Sequence, residues 1–272
     1  MKKSSKFTAP RVLFVVAMDS ELQPLLKTLG KPKTSKILDT FPLYETSYKS
    51  VKIFIVHTYV GDVNASIAGF EAIREVNPDY VIKFGAVGGS YRESKAGDII
   101  IPLGFFHRGG WITRNKITHT PTADASTWDS IFGEKDYQIQ ESRNNLGGMP
   151  YYFPVREEQI ELCKSTLRSM NLKFQTAYVG GGNIWMFDQS VLTNVVECML
   201  PITKTHDRFV SDMESYALAH ACYLKRRSFL GCYIVASNDY LDESYDPIKV
   251  TDFCRKLVPY ALELVSTFHI KR

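Results

Sequence analysis

The chain has no uninterrupted apolar run of about 18 residues, which excludes a helix that crosses a membrane. It has no Lys/Arg block interleaved with aromatics, and 33 basic against 29 acidic residues leave a formal charge of only +4. Nucleic acid is therefore not an implied partner. The five cysteines, Cys163, Cys198, Cys222, Cys232 and Cys254, are odd in number and lack paired metal-ligand spacing. They read as free thiols, several in the core, of a protein in a reducing, cytoplasmic compartment. His57, His107 and His220 show no ligand spacing either, so no metal site is expected. The opening MKKSSK is basic, but no apolar region follows it, so it is not read as a secretory signal. No internal repeat is evident.

What remains is an ordinary globular composition, 44% hydrophobic and 23% charged over 272 residues, enough for a substantial core. Residues 11–17 read RVLFVVA, a strand; a helix over 20–29 follows at once. Residues 42–59 predict a hairpin and a third strand. GDVNASIAGFEAIREV has helical spacing, and DYVIKFGAVGG and GDIIIPLGFF are strands. REEQIELCKSTLRSM is an amphipathic helix, KFQTAYVGGG a strand with a glycine-rich end, and SDMESYALAHACYLK a partly buried helix with Asp212 near its start. FLGCYIVASND is a further strand. TDFCRKLVPYALELVSTF closes the chain as a helix, with Thr251 as its N-cap. This β-α-β order with short joins predicts an α/β fold: a single three-layer α/β/α domain over 1–272 with a mixed, mostly parallel central sheet. The segment 108–154, rich in Gly, Thr, Asn and Asp, breaks the pattern and reads as an irregular insertion.

The strand ends carry the chemistry. They read AMDSE, YVGD, FGAVGG, YVGGGN and ASND. In an open parallel sheet the carboxyl ends of the strands form the ligand crevice, and glycines there let backbone approach a ligand closely. Three carboxylates stand out: Glu21 after the first strand, Glu214 at the start of a helix and Asp239 after a late strand. Each alone also fits an ordinary acidic residue at a helix N-terminus. Their convergence on one crevice favours a site.

Those motifs also carry a family resemblance. The opening VLFVVAMDSELQPLL, the stretch PDYVIKFGAVGGSYRESKAGDIIIP, the helix DMESYALAHACY and the strand end ASNDYLD resemble the nucleoside phosphorylase/nucleosidase superfamily. The nearest likeness is to the 5'-methylthioadenosine/S-adenosylhomocysteine nucleosidases. The resemblance covers roughly residues 11–102 and 155–268. It implies hydrolysis of the N-glycosidic bond of such nucleosides to free base and sugar, without metal or cofactor. It implies Glu21 as the carboxylate that activates water and Asp239 as the acid that protonates the purine at N7. It implies substrate contacts from Met18, Ala86, Val87, Gly88, Ile184, Trp185, Met213 and Glu214, with Glu214 on the ribose hydroxyls. It also implies a homodimer whose partner loop completes the site, and the pair Phe105–Phe106 is compatible with an interface.

The chain departs from the family pattern in places. The family's acid motif ends Ser-Asp, whereas this chain reads Ser237-Asn238-Asp239. Either Asp239 or Asn238 then holds the acid's place; an amide cannot donate a proton as an acid and would favour a 6-oxopurine. Two alternative functions stand beside hydrolysis. A phosphorylase of the same fold needs an anion site, and Arg92 or Arg108 could supply one. A carboxylate about 4 Å from phosphate costs roughly 4 kcal/mol at an effective dielectric near 20, which favours water. The third reading is a catalytically silent nucleoside-binding or storage protein.

Overall fold

The computed structural model describes residues 9–112, 129–130, 152–203 and 208–268. In chain order the elements are β1 (Arg11–Val16), α1 (Asp19–Leu29), β2 (Lys33–Ile37), β3 (Phe41–Tyr48), β4 (Val51–His57), α2 (Asp62–Val76), β5 (Tyr80–Gly89) and β6 (Ile99–His107). There follow β7 (Trp111–Ile112), β8 (Asp129–Ser130), β9 (Tyr152–Pro154), α3 (Glu157–Ser169), β10 (Gln175–Gly181), α4 (Gln189–Thr203) and β11 (Phe209–Asp212). The last are α5 (Ser215–Lys225), β12 (Ser228–Asn238) and α6 (Pro247–Ser266).

The sheet runs β11-β10-β6-β12-β5-β1-β4-β3-β2, with β9 on β6. Parallel ladders join β4, β1, β5 and β12, and again β6, β10 and β11. Antiparallel pairing builds the β2-β3-β4 edge. The parallel strands are mostly apolar because helices cover both faces. Val12 to Val16 are all fully buried, each worth about 1.5–3 kcal/mol of burial. Helix α1 packs on α6, and α2 on α5. This is the expected α/β/α architecture. No helix among the described residues is long and apolar enough to cross a membrane.

One topological feature goes beyond the sequence expectation. The far end of β5 leaves β12 and pairs antiparallel with β11, Val210 opposite Gly89 and Ser211 opposite Gly88. The path β5-β12-β6-β10-β11 thereby closes on itself. The closure needs small residues, because a Cβ on Gly89 would stand 1.6 Å from Ser94 Oγ. It brings the carboxyl ends of β5, β11 and β12 together.

Several local expectations are corrected. Residues 42–59 hold only the β3–β4 hairpin, and the third strand of that edge is β2, before it. Asp212 ends a strand rather than opening a helix, because β11 consumes residues 209–212 in pairing. The last helix starts at Pro247, not near Thr251: Asp246 caps it, its carboxylate accepting from the N–H of Ile248 and Lys249. Proline at the first helical position suits that start. Phe105 and Phe106 are buried within this chain, against Phe229 and Phe209, so they are not an exposed interface pair. Cys163, Cys222, Cys232 and Cys254 are buried and free. Most of the irregular 108–154 segment lies outside the described residues.

Candidate active site

The carboxyl ends of β1, β5, β11 and β12 surround a largely apolar cavity of about 180 Å³. Met18, Glu21, Ala86, Val87, Gly88, Ile184, Trp185, Met213, Glu214 and Asp239 all line it. Of the candidate site residues named from the sequence, Asn238 and Arg92 do not.

Glu21 is held by the way α1 begins. Met18 caps the helix in an extended conformation, and Glu21, three positions on, reaches back in the manner of a capping box. Its Oε2 accepts from the backbone N–H of Ala17 at 3.0 Å and Met18 at 3.1 Å. Its Oε1 accepts from Ala86 N–H at 2.8 Å. A Cβ on Gly85 would stand 2.1 Å from that oxygen, so β5 must carry glycine where the carboxylate lies against it. Glu21 is 1% exposed.

Glu214 lies in the turn between β11 and α5. Asp212 fixes that turn: its carboxylate accepts from the N–H of Glu214 and Ser215 and from the Ser215 hydroxyl. Glu214 Oε1 accepts from Gly61 N–H at 2.9 Å, and Gly61 has φ +108°, a conformation that favours glycine. Burial first, then the neighbouring Asp212 and Glu21, push the Glu214 carboxyl up to about 7 against the pull of Lys83.

Between Glu21 and Glu214 stands Lys83, itself 1% exposed. Its Nζ is 3.5 Å from Glu21 Oε2 and 3.6 Å from Glu214 Oε2. Burial works against its charge, but Glu21, Glu214 and Asp212 outweigh that and hold its pKa above the usual lysine value. Its signal in the sequence is one lysine inside the otherwise apolar strand YVIKFGAVGG.

Asp239 follows β12 at the other group of polar side chains. Its Oδ1 accepts from the Trp185 indole N–H at 3.2 Å, and its Oδ2 from the Ser211 hydroxyl at 3.1 Å. A Cβ on Gly88 would stand 2.0 Å from Oδ2. Burial raises the Asp239 carboxyl, opposed by these donors and by Arg108. Such an acid is suited to keep its proton longer than an exposed aspartic acid. Asn238 faces away. Its amide N–H groups donate to the carbonyls of Tyr91, Arg92 and Ser94, and its Oδ1 accepts from Leu241 N–H. It therefore ties the 91–94 loop to the strand end, and the reading in which its amide recognises a 6-oxopurine is corrected on this geometry.

The two arginines considered for an anion site sit differently. Arg92 is exposed over the Tyr240 ring and lines no part of the cavity. Arg108 does line it, but its Nε donates to Gly180 O and its Nη2 to Ile184 O, and its charged neighbours are Asp239 and Asp212. Burial lowers its pKa to about 10 against the pull of those carboxylates. At the mouth, the Tyr245 hydroxyl donates to Met18 Sδ at 3.4 Å, and Trp185, 50% exposed, meets Tyr245 edge to face. Tyr245 is a lining residue outside every motif quoted from the sequence.

Four carboxylates, Glu21, Asp212, Glu214 and Asp239, thus surround one cavity at the strand ends of the closed sheet. The chain belongs to the Phosphorylase superfamily, whose family model matches residues 11–269. It is 21% identical over 256 residues to the 5'-methylthioadenosine/S-adenosylhomocysteine nucleosidase of Bacillus velezensis, covering 94% of this chain and 96% of that protein. It is 25% identical over 213 residues to the nucleosidase of the same name from Buchnera aphidicola, covering 78% of each. Among solved structures, the S-adenosylhomocysteine nucleosidase of Streptococcus pyogenes superposes with a TM-score of 0.73 at 13% identity, over 97% of this chain and 100% of that one. The futalosine hydrolase of Helicobacter pylori gives 0.70 at 11% identity, over 96% and 99%.

Proposed function

We propose that this chain is a purine nucleosidase that hydrolyses the N-glycosidic bond of methylthioadenosine/S-adenosylhomocysteine-like nucleosides. Breaking that bond needs a protonated leaving base, a stabilised cationic sugar and a nucleophile. Asp239 supplies the proton to N7 of the departing purine. Glu214 accepts the ribose hydroxyls, and Trp185, Ala86 and Gly88 border the base. Glu21 takes the proton from the attacking water. The apolar mouth, with Met18, Val60 and Tyr245, suits a 5'-substituent of low polarity. The names of the relatives above agree with this reading.

The observation that carries hydrolysis over phosphorolysis is the charge on the Glu21 side of the cavity. Two carboxylates face it, and the cation beside them, Lys83, is already bound to both. Arg92 lines no part of the cavity, and Arg108 is tied to Gly180 O and Ile184 O with Asp239 first among its charged neighbours, so a phosphate beside Glu21 would meet two carboxylates whose cation is already shared. The test is release of free base from methylthioadenosine, adenosine and inosine with and without phosphate. Phosphate-independent release supports a nucleosidase. Strict phosphate dependence means a phosphorylase, and binding without release means a silent relative.

The proposal includes a homodimer. Val60 at the mouth and Val63 and Ile67 on α2 are exposed, Val63 to 62%, and together they form an apolar surface beside the cavity. Sedimentation as a monomer at micromolar concentration would contradict it.

A further inference from the structure

Lys83 is a buried charge that the steps above do not use. It does not line the cavity. Along β5, Val81, Lys83 and Gly85 fall on one face, since successive side chains alternate. The space a side chain at Gly85 would fill is taken by the Glu21 carboxylate. The lysine stem thus runs behind Glu21, and its ammonium meets Glu21 and Glu214 at nearly equal distances. The groups around it are Glu21 on α1, Asp212 at the end of β11, Glu214 before α5 and Cys254 on α6, with Tyr245 ahead of α6. Three carboxylates share one cation.

We infer that Lys83 is a positioning residue: as the shared counter-ion of Glu21 and Glu214, it keeps Glu214 in the acceptor form that ribose hydroxyls require and fixes Glu21 against β5. The inference rests on the nucleosidase reading for its catalytic consequence. A buried ion pair is weak evidence for stability, since apolar replacements often serve as well. A lysine kept at 1% exposure is explained by the need for charged carboxylates at this place. The cluster is also short of positive charge, so a sugar that becomes cationic completes its balance. Preorganised negative charge of this kind favours such a transition state. With Lys83 present the Glu214 carboxyl already stands at about 7. Without it, Glu214 holds its proton to higher pH, one of its oxygens becomes a donor, and it no longer accepts two hydroxyls at neutrality.

The test compares wild type with Lys83→Met across pH 6 to 8.5, using methylthioadenosine. The quantity read is the variant-to-wild-type ratio of kcat/KM, which cancels the ionisation of Asp239 common to both. This ratio is expected to climb at least about fivefold with rising pH, as follows from a Glu214 pKa moved up by one unit. A ratio that stays constant means a merely structural lysine and overturns the inference. A second arm needs no turnover: thermal unfolding of Lys83→Met and of Lys83→Met/Glu214→Gln against pH. In the single variant Glu214 has a folded pKa raised further above its unfolded one, so stability is full at low pH and is lost as pH rises through the folded value. The double variant is expected to lack that loss. If Lys83→Met fails to fold, a folded double variant supports the inference and an unfolded one overturns it. If wild type releases no base, the nucleosidase reading fails, while the unfolding arm still decides the role of Lys83.

Discussion

Replacing Glu21 with glutamine changes one atom and tests the most constrained group in the site. The carboxylate accepts two backbone N–H groups and faces Lys83 at Oε2, and accepts one N–H at Oε1. An amide has one acceptor oxygen. It must be placed toward Ala17, Met18 and Lys83, because the opposite orientation would set an NH₂ against two donors and a cation. The NH₂ then faces Ala86 N–H at the 2.8 Å position, and that buried donor loses its partner. An orphaned buried donor costs about 1–3 kcal/mol, which in a domain of this size lowers Tm by roughly 2–4 °C per kcal/mol. The loss of the base costs turnover a further 10²–10⁴-fold, the typical range for a general base. Base release under saturating nucleoside and a thermal melt read the two effects separately. Turnover within a few fold of wild type would refute the role of Glu21 as base, and an unchanged Tm would refute the hydrogen-bond accounting.

Asp239→Asn is expected to abolish base release. Asn238→Ala should mainly destabilise, because three loop carbonyls lose their donor; the reverse ranking in kcat and Tm would move the acid to another residue. Gly88→Ala places a methyl 2.0 Å from Asp239 Oδ2, and displacing that acid by about 1 Å should cost about 10²-fold in kcat; unchanged kcat would show that the contact is slack. In wild type, KM should fall as pH rises through about 7, the value to which burial raises Glu214, because only the ionised carboxylate accepts two hydroxyls. The same raised pKa makes Glu214 stabilise the free protein fully below its unfolded value near 4.5. That contribution is lost as pH rises through about 7, so Tm of the free protein should decline over that range.

The strand ends were the legible part of this chain. Their glycines and acids mark Glu21, Gly88 and Asp239 because a parallel sheet delivers its carboxyl ends to one crevice, and Glu214 is marked by the helix motif DMES. Lys83 was hidden by its setting: periodicity assigns it to a buried strand but does not reveal which carboxylates surround it. Asn238 and Asp239 could not be ranked from sequence, since adjacent residues at a strand end point to opposite sides and the direction depends on register. That register is shifted between Val235 and Ser237, where β12 bulges against β5. Strand β11 is not legible in the sequence because four residues, FVSD, carry too short a pattern, and they are held by pairing on both sides. Helix α6 was expected too late because Asp246-Pro247 caps and starts it ahead of the apolar run.

In the proposed reaction water, activated by Glu21, attacks the sugar. The direct test runs wild type on methylthioadenosine in water enriched in heavy oxygen, with phosphate present, and follows the sugar product by mass spectrometry. Hydrolysis gives free sugar bearing one solvent-derived oxygen at its anomeric carbon, formed at the same rate when phosphate is omitted. Sugar 1-phosphate without solvent label, formed only when phosphate is present, would contradict it.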